Sequence, residues 1–226
     1  DVYHELDYVT WLFGFPKSAT SSVSYATGLK LVNNDNAFER AIKDAGYDVS
    51  KLADYAKDPE VWSEVMTLRD KAKGLTRRMQ NNYISGRLGQ VIDGTGKNFD
   101  KLAGMRTMYK DLGYDTYMVF VNTSLDTALE RNRMRDRKLD DKMVTKMWKA
   151  VQDNLGKFQK EFGSNDMIIV DNSVVSFIFN MSNGVPISDF RGQKDDDELM
   201  FMVSYLEEIY GATDVRKPIS NTFKLE

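Results

Sequence analysis

The chain of 226 residues contains no cysteine and only one histidine, His4. Without thiols, cysteine nucleophiles, thiolate zinc centres and disulfides are excluded, and the composition fits a reducing, cytoplasmic setting. A Ser-His-Asp triad or a histidine-rich metal site would depend wholly on His4, near a chain end where order is usually lowest. No stretch approaches the roughly 20 uninterrupted apolar residues of a membrane span, and no charged-then-apolar leader opens the sequence, so no membrane partner is expected. A large excess of one charge is missing too. Thirty-one basic residues face 34 acidic ones, net -3, which argues against wholesale wrapping of nucleic acid but leaves room for a local basic patch.

What is present is enough for one sizeable core, at 42% hydrophobic residues. Five short apolar runs read as buried strands: Tyr8 to Phe13, Leu29 to Val32, Gln90 to Asp93, Tyr117 to Val121 and Met167 to Val170. Between most of them lie helices. The clearest has Asp58 as N-cap and Pro59 in its first turn, with Val61, Val65, Leu68, Ala72, Leu75 and Met79 on one stripe. A second runs from about Asn98 to Leu112 and stops at Gly113; a third follows Thr123-Ser124; a fourth places Val144, Trp148, Val151, Leu155 and Phe158 inward before Gly163. A last one holds Val203, Leu206 and Ile209. Strands alternating with helices predict an α/β fold, a three-layer αβα sandwich on a mostly parallel sheet of about five strands. Residues 1–172 are expected to form its body, and 173–226 an extension packing on the same sheet.

In such folds ligands sit at the carboxyl ends of the strands. After the first strand, residues 14–22 (GFPKSATSS) have the length and position of a phosphate loop, GxxxxGK[ST]. Gly14 and Ser21 fall where the first glycine and the magnesium-binding hydroxyl belong, but Ala19 and Thr20 replace the second glycine and the lysine, and Lys17 lies three residues early. The candidate phosphate contacts are Gly14, Lys17, Ser18, Thr20, Ser21 and Ser22; the alternative is a serine-rich turn. Only residues 23–27 separate this loop from Gly28 and the second strand, too few for an ordinary crossover helix. After the second strand stands Asp35, read either as an exposed catalytic carboxylate or as the cap of a helix over Ala37 to Ala45. After the third comes Asp93, followed by Gly94 and Gly96, where a ligand can approach the backbone and an aspartate can hold magnesium. The helix after the fourth strand ends in Arg131, Arg133, Arg135 and Arg137. Arg131 and Arg135 share one face and Arg133 and Arg137 another, so two arginines at most clamp a phosphate, unless the whole end is a solvated charged face.

Together LKLVNNDN, VIDGTGKNF and VFVNTSLDTALERNRMRDR, followed by MIIVDN, resemble the P-loop kinases of the zeta-toxin and polynucleotide-kinase-like group over about residues 29–172. The resemblance implies ATP and Mg2+ as cofactors and a hydroxyl-bearing acceptor: a nucleotide, a nucleic-acid end or a small metabolite. It implies Asp35 as general base, Asp93 near magnesium, Ser21 as a magnesium-binding hydroxyl, and Arg131, Arg135 and Arg137 on the transferred phosphoryl group. Without the loop lysine, most of a kinase's transition-state stabilisation is missing, so a catalytically inactive, kinase-like binding domain is the rival expectation. From residue 168 onward, IIVDNSVVSFIFNMSNGVPISDF and YLEEIYGATDVRKPISNTFKLE resemble the CTD-type small phosphatases of the haloacid dehalogenase superfamily. That resemblance implies a magnesium-dependent phosphatase fragment with Asp171 and Asn172 at the metal. The nucleophile motif of those enzymes, DxDx[TV], does not occur in this sequence; VIDGTGK around Asp93 lacks the second aspartate.

Overall fold

The computed structural model describes residues 28–134, 138–178, 180–188, 197–209 and 212–225, together with the backbone of 8–13. Alternation within the apolar runs builds the two faces of a sheet, because successive side chains of a strand point to opposite sides. In the run ending at Val121, Met118 and Phe120 pack with Tyr109, Phe158 and Phe162, whereas Val119 and Val121 pack with Met202, Val203 and Ile219. Met167 and Ile169 join the first set, and Ile168 and Val170 the second.

Six strands result among the described residues: β1 (Tyr8–Phe13), β2 (Lys30–Val32), β3 (Gln90–Gly94), β4 (Asp115–Val121), β5 (Met167–Asp171) and β6 (Gly184–Pro186). They lie in the order β2-β3-β1-β4-β5-β6, and every pairing is parallel. The five expected strands are all present. The sixth adds an edge that three residues, one of them proline, do not announce by periodicity; its proline is compatible with an edge position. Gly184 enters β6 because its missing side chain is replaced by the ring of Phe177, which would lie 2.2 Å from a Cβ there.

The helices among the described residues are α1 (Asn34–Asp44), α2 (Leu52–Tyr55), α3 (Pro59–Ser85), α4 (Phe99–Asp111), α5 (Leu125–Met134), α6 (Asp141–Phe162), α7 (Glu198–Glu208) and α8 (Arg216–Phe223). α4 and α6 cover one face of the sheet, and α7 and α8 the other, giving the three-layer αβα sandwich. A separate cluster of Phe38, Ile42, Leu52, Val65 and Ala72 joins α1, α2 and α3.

The caps follow the sequence: Asp58 accepts the N–H groups of Glu60 and Val61, and Asn98 that of Lys101. Three expectations change. Val61, Val65, Leu68 and Ala72 of the expected α3 stripe pack with α1 and α2, but Leu75 (46% exposed) and Met79 (37%) face outward and Thr76 is buried in their stead. Thr76 tolerates its position because its hydroxyl donates to the Ala72 carbonyl. Leu112, the C-cap of α4, is exposed as well. The helix after β2 starts at Asn34, three residues before the expected Ala37, since Asn33 accepts the N–H of Asp35 and caps it.

Candidate functional site at the carboxyl edge of the sheet

The register sets the order of groups along the carboxyl edge. Val32 pairs with Ile92, Leu12 with Asp93, Phe13 with both Gly94 and Phe120, Val121 with Val170, and Asp171 with Pro186. Asn33 and Asp93 therefore stand on one side of the end of β1, and Asn122 and Asp171 on the other. The chain runs from β1 outward to β2, then returns past β1 to β4, so the end of β1 is the switch point at which an open α/β sheet leaves a crevice. Residues 14–22, which leave β1 here, lie outside the described residues, and the readings of Gly14, Lys17, Ser18, Thr20, Ser21 and Ser22 fall there.

On the first side, Asn33 Nδ2 donates to Asp93 Oδ2 at 2.7 Å, and the N–H of Asp35 donates to Asn33 Oδ1 at 2.6 Å. Asn33 thus links the Asp93 carboxylate to the backbone of Asp35, the two acids that the sequence singles out. Asp93 is half-buried at the strand end, and Asp35 is exposed in the first turn of α1, where a negative charge meets the positive end of the helix dipole. The reading of Asp35 as N-cap is corrected: that role belongs to Asn33, whose side-chain oxygen reaches forward two residues to the Asp35 N–H, and Asp35 lies inside the first turn.

On the second side, α6 ties the strand ends together. Gln152 Nε2 donates to Asn122 Oδ1 at 2.7 Å, and Trp148 Nε1 donates to the Thr123 carbonyl at 2.8 Å. Two residues further on, Asn154 Nδ2 donates to the Gly96 carbonyl in the loop after β3. Asn122 Nδ2 reaches Ser176 Oγ at 3.4 Å, in the turn that follows β5. Asp171, the last residue of β5, is only 3% exposed, and its Oδ1 accepts the N–H of Ser173 at 2.7 Å. Asn122, Gln152, Asn154 and Ser176 are absent from the sequence reading: a lone amide or hydroxyl carries no motif, and only Asn122, directly after a strand, occupies a position the strand-end rule would flag.

The arginine-rich helix end divides. Arg131 is half-buried; Arg133 is exposed and pairs with Asp141 Oδ2 at 2.7 Å, which takes it toward the start of α6. That partner and the preceding Glu130 hold the Arg133 guanidinium above its ordinary value, the hydrogen bond to Asp141 being the main cause. Between the two arginines, Asn132 is buried; it donates to the Leu139 carbonyl at 2.8 Å and accepts the Leu139 N–H at 2.9 Å. The two ends of the segment that contains Arg135 and Arg137 are clasped in this way, while both of those residues lie outside the described ones.

Asp93 and Asp171 are not ligands of one ion. Three strand spacings separate β3 from β5, about 14 Å at the usual 4.7–4.9 Å each, and a magnesium ion holds its oxygens at about 2.1 Å. Among the described residues, no three acidic or histidine side chains gather closely enough to cage a metal. Magnesium asks for less, because it keeps several waters and uses one or two carboxylates with a substrate phosphate. A single buried carboxylate at a strand end, such as Asp171 beside the amide of Asn122, fits that open kind of site and no closed one.

No helix among the described residues is long and apolar enough to cross a membrane. A family model described as NLI interacting factor-like phosphatase matches residues 117–216, from within β4 to the first residue of α8. The match bears out the phosphatase resemblance and moves its start from residue 168 back to 117. "CTD small phosphatase-like protein 2" of Dictyostelium discoideum is 32% identical over 109 residues, 47% of this chain and 18% of that protein. "Probable C-terminal domain small phosphatase" of the same organism is 41% identical over 49 residues, 22% of this chain and 16% of that one. The chain thus spans less than a fifth of the length of either relative. Among solved structures, a gluconokinase from Sinorhizobium meliloti superposes with a TM-score of 0.44 at 10% identity, covering 92% of this chain and 94% of that one. A Chloroflexus aurantiacus protein described as a kinase gives 0.43 at 12%, covering 90% and 98%. From β4 to the start of α8, then, the chain is similar in sequence to the NLI interacting factor-like phosphatases.

Proposed function

We propose that the chain acts on phosphate monoesters as a magnesium-dependent phosphatase module of the haloacid dehalogenase type. The observation that carries this reading is Asp171: a buried carboxylate at the carboxyl end of a parallel strand, inside the segment similar to these phosphatases. Asp171, with Asn172 next to it, would hold the ion, which when bound neutralises charge on the phosphate oxygens. The residues around it do the positioning. The Ser173 N–H fixes one carboxylate oxygen of Asp171, and the Gln152–Asn122–Ser176 chain holds the end of β4 against the turn after β5. The sequence supplies no DxDx[TV] nucleophile, so the reading assigns the attacking carboxylate to another polypeptide segment.

Magnesium should raise the melting temperature of the chain, and Asp171→Asn should abolish that rise together with any magnesium-dependent hydrolysis of p-nitrophenyl phosphate. A magnesium response that survives Asp171→Asn sinks the proposal.

A second reading rests on the other side of the edge, where Asn33 joins Asp93 to the start of α1 beside the end of β1. It is an ATP-dependent transfer of the γ-phosphoryl group to a hydroxyl, with Asp35 as base, Asp93 near magnesium and Arg131 on the phosphoryl oxygens. Incubation with γ-labelled ATP, magnesium and a panel of hydroxyl acceptors checks it; absence of both label transfer and an ATP-induced thermal shift removes it and leaves a kinase-like domain without catalysis.

A further inference from the structure

α3 carries a concentration of positive charge that neither reading uses. Within residues 69–78 (RDKAKGLTRR) fall five of the 31 basic residues of the chain and only one of its 34 acidic ones. Arg69, Lys71, Lys73, Arg77 and Arg78 are all exposed. Lys73 pairs with Asp70 at 3.0 Å, a contact whose side chains are 52% and 72% exposed and which solvent screens to little effect. The other four bases make no ion pair with a described residue.

The arrangement is regular. Arg69, Lys73 and Arg77 recur every four residues, so they form a row along the helix with about 6 Å between successive cations. Lys71 and Arg78 lie on the other side of the exposed surface. The buried face, which Arg69 borders, carries Val65 and Ala72; these pack with α1 and α2 and fix the helix to the body. The charges are thus held on a rigid rod, at a fixed repeat. α6 carries a second row, Lys142, Lys146 and Lys149, but an acid stands at each end of it, Asp141 and Asp153, and that row serves as the comparison for α3.

The place of the row in the fold also matters. α3 leads back into β3 at the amino edge of the sheet, where Tyr83 and Ile84 pack against the core. The basic segment lies earlier in the helix: measured back from Ser85, Arg78 is about 10 Å and Arg69 about 24 Å away along the axis.

A partner recognised by cations at a fixed repeat on a rigid rod is a polymer with its own regular anionic charge. We propose that α3 is a docking surface for a nucleic-acid phosphate backbone, with the row Arg69, Lys73 and Arg77 as its main contact and Lys71 and Arg78 at its margin. Binding is independent of base sequence and of the magnesium chemistry assigned to Asp171.

Fluorescence anisotropy with a labelled single-stranded 20-nucleotide DNA tests this. Three phosphate contacts predict a slope of log affinity against log salt of about -2, so that affinity falls about 15-fold between 50 and 200 mM salt. The variant R69E/K73E/R77E should bind at least tenfold more weakly, with an unchanged circular dichroism spectrum and an unchanged magnesium response. The variant K142E/K146E/K149E on α6 should bind as the unmodified chain does. Equal weakening by both variants, full binding by the α3 variant, or equally tight binding of phosphatidylserine vesicles through the same three residues overturns the assignment.

Discussion

Asn33 Nδ2 donates to Asp93 Oδ2 across 2.7 Å and so joins the ends of two strands whose residues stand 60 positions apart in the chain. The same side chain caps α1 through its Oδ1. Asn33→Ala should therefore lose a cap and a hydrogen bond to a carboxylate together, about 2–3 kcal/mol of stability. Asn33→Ser retains the capping oxygen but not the reach to Asp93, and should recover about 1 kcal/mol of that loss. Urea denaturation of the two variants checks the order.

Arg106 is the buried hub at the other end of the sheet. Its guanidinium donates to the Glu161 and Phe162 carbonyls and to Thr116 Oγ1, pairs with Glu161 and Asp166, and lies over the Phe162 ring at 4.6 Å. It ties α4 to the end of α6 and the turn into β5. Arg106→Met leaves two acids and two carbonyls without their donor, and about 3–5 kcal/mol should be lost, visible as a fall in the denaturation midpoint.

Asp166 gives a pH signature. Burial pushes its carboxyl above the ordinary 3.8, and Arg106 only partly offsets that. A folded value above the unfolded one means that protonated Asp166 favours the fold: its contribution is fullest below the ordinary value and is lost as pH rises through the folded one. The stability of the chain minus that of Asp166→Asn should accordingly decrease as pH rises from about 3.8, then level off. Denaturation curves across that range check it; a difference that increases with pH contradicts the assignment.

Gly184 is fixed by contact, not by backbone angle. A Cβ would meet the Phe177 ring at 2.2–2.6 Å, and Phe177 is itself buried in the core. Gly184→Ala should cost about 1–3 kcal/mol through overpacking. The double variant Gly184→Ala with Phe177→Leu should recover part of this in a thermal melt.

Asn132 clasps the Leu139 backbone from within the arginine-rich segment. Asn132→Ala leaves the half-buried N–H and carbonyl of Leu139 without their partner, at about 1 kcal/mol. Amide exchange at Leu139 should accelerate while exchange in β4 stays slow.

The strands and helices were legible because period-2 and period-3.6 apolar patterns, with caps such as Asp58, Asn98 and Gly163, are local properties of the chain. β6 was not, since Gly184–Pro186 acquires its strand character only by pairing with β5. The exposure of Leu75 and Met79 at the end of the α3 stripe depends on what packs beside the helix, which no residue of α3 encodes. Asp93 and Asp171 were legible as strand-end carboxylates; their separation was not, because it follows from the interposition of β1 and β4.

The sequence by itself determined the α/β class, the absence of thiol chemistry, and the list of strand-end acids, since composition and local periodicity decide these. Only the tertiary structure decided that Asn33 bridges Asp35 and Asp93, that Gln152 and Asn122 brace the second side of the edge, and that Arg133 turns to Asp141. Each of those joins residues brought together by strand order and helix packing, and the sheet's hydrogen-bond register, a cooperative property of six segments, sets which ones meet.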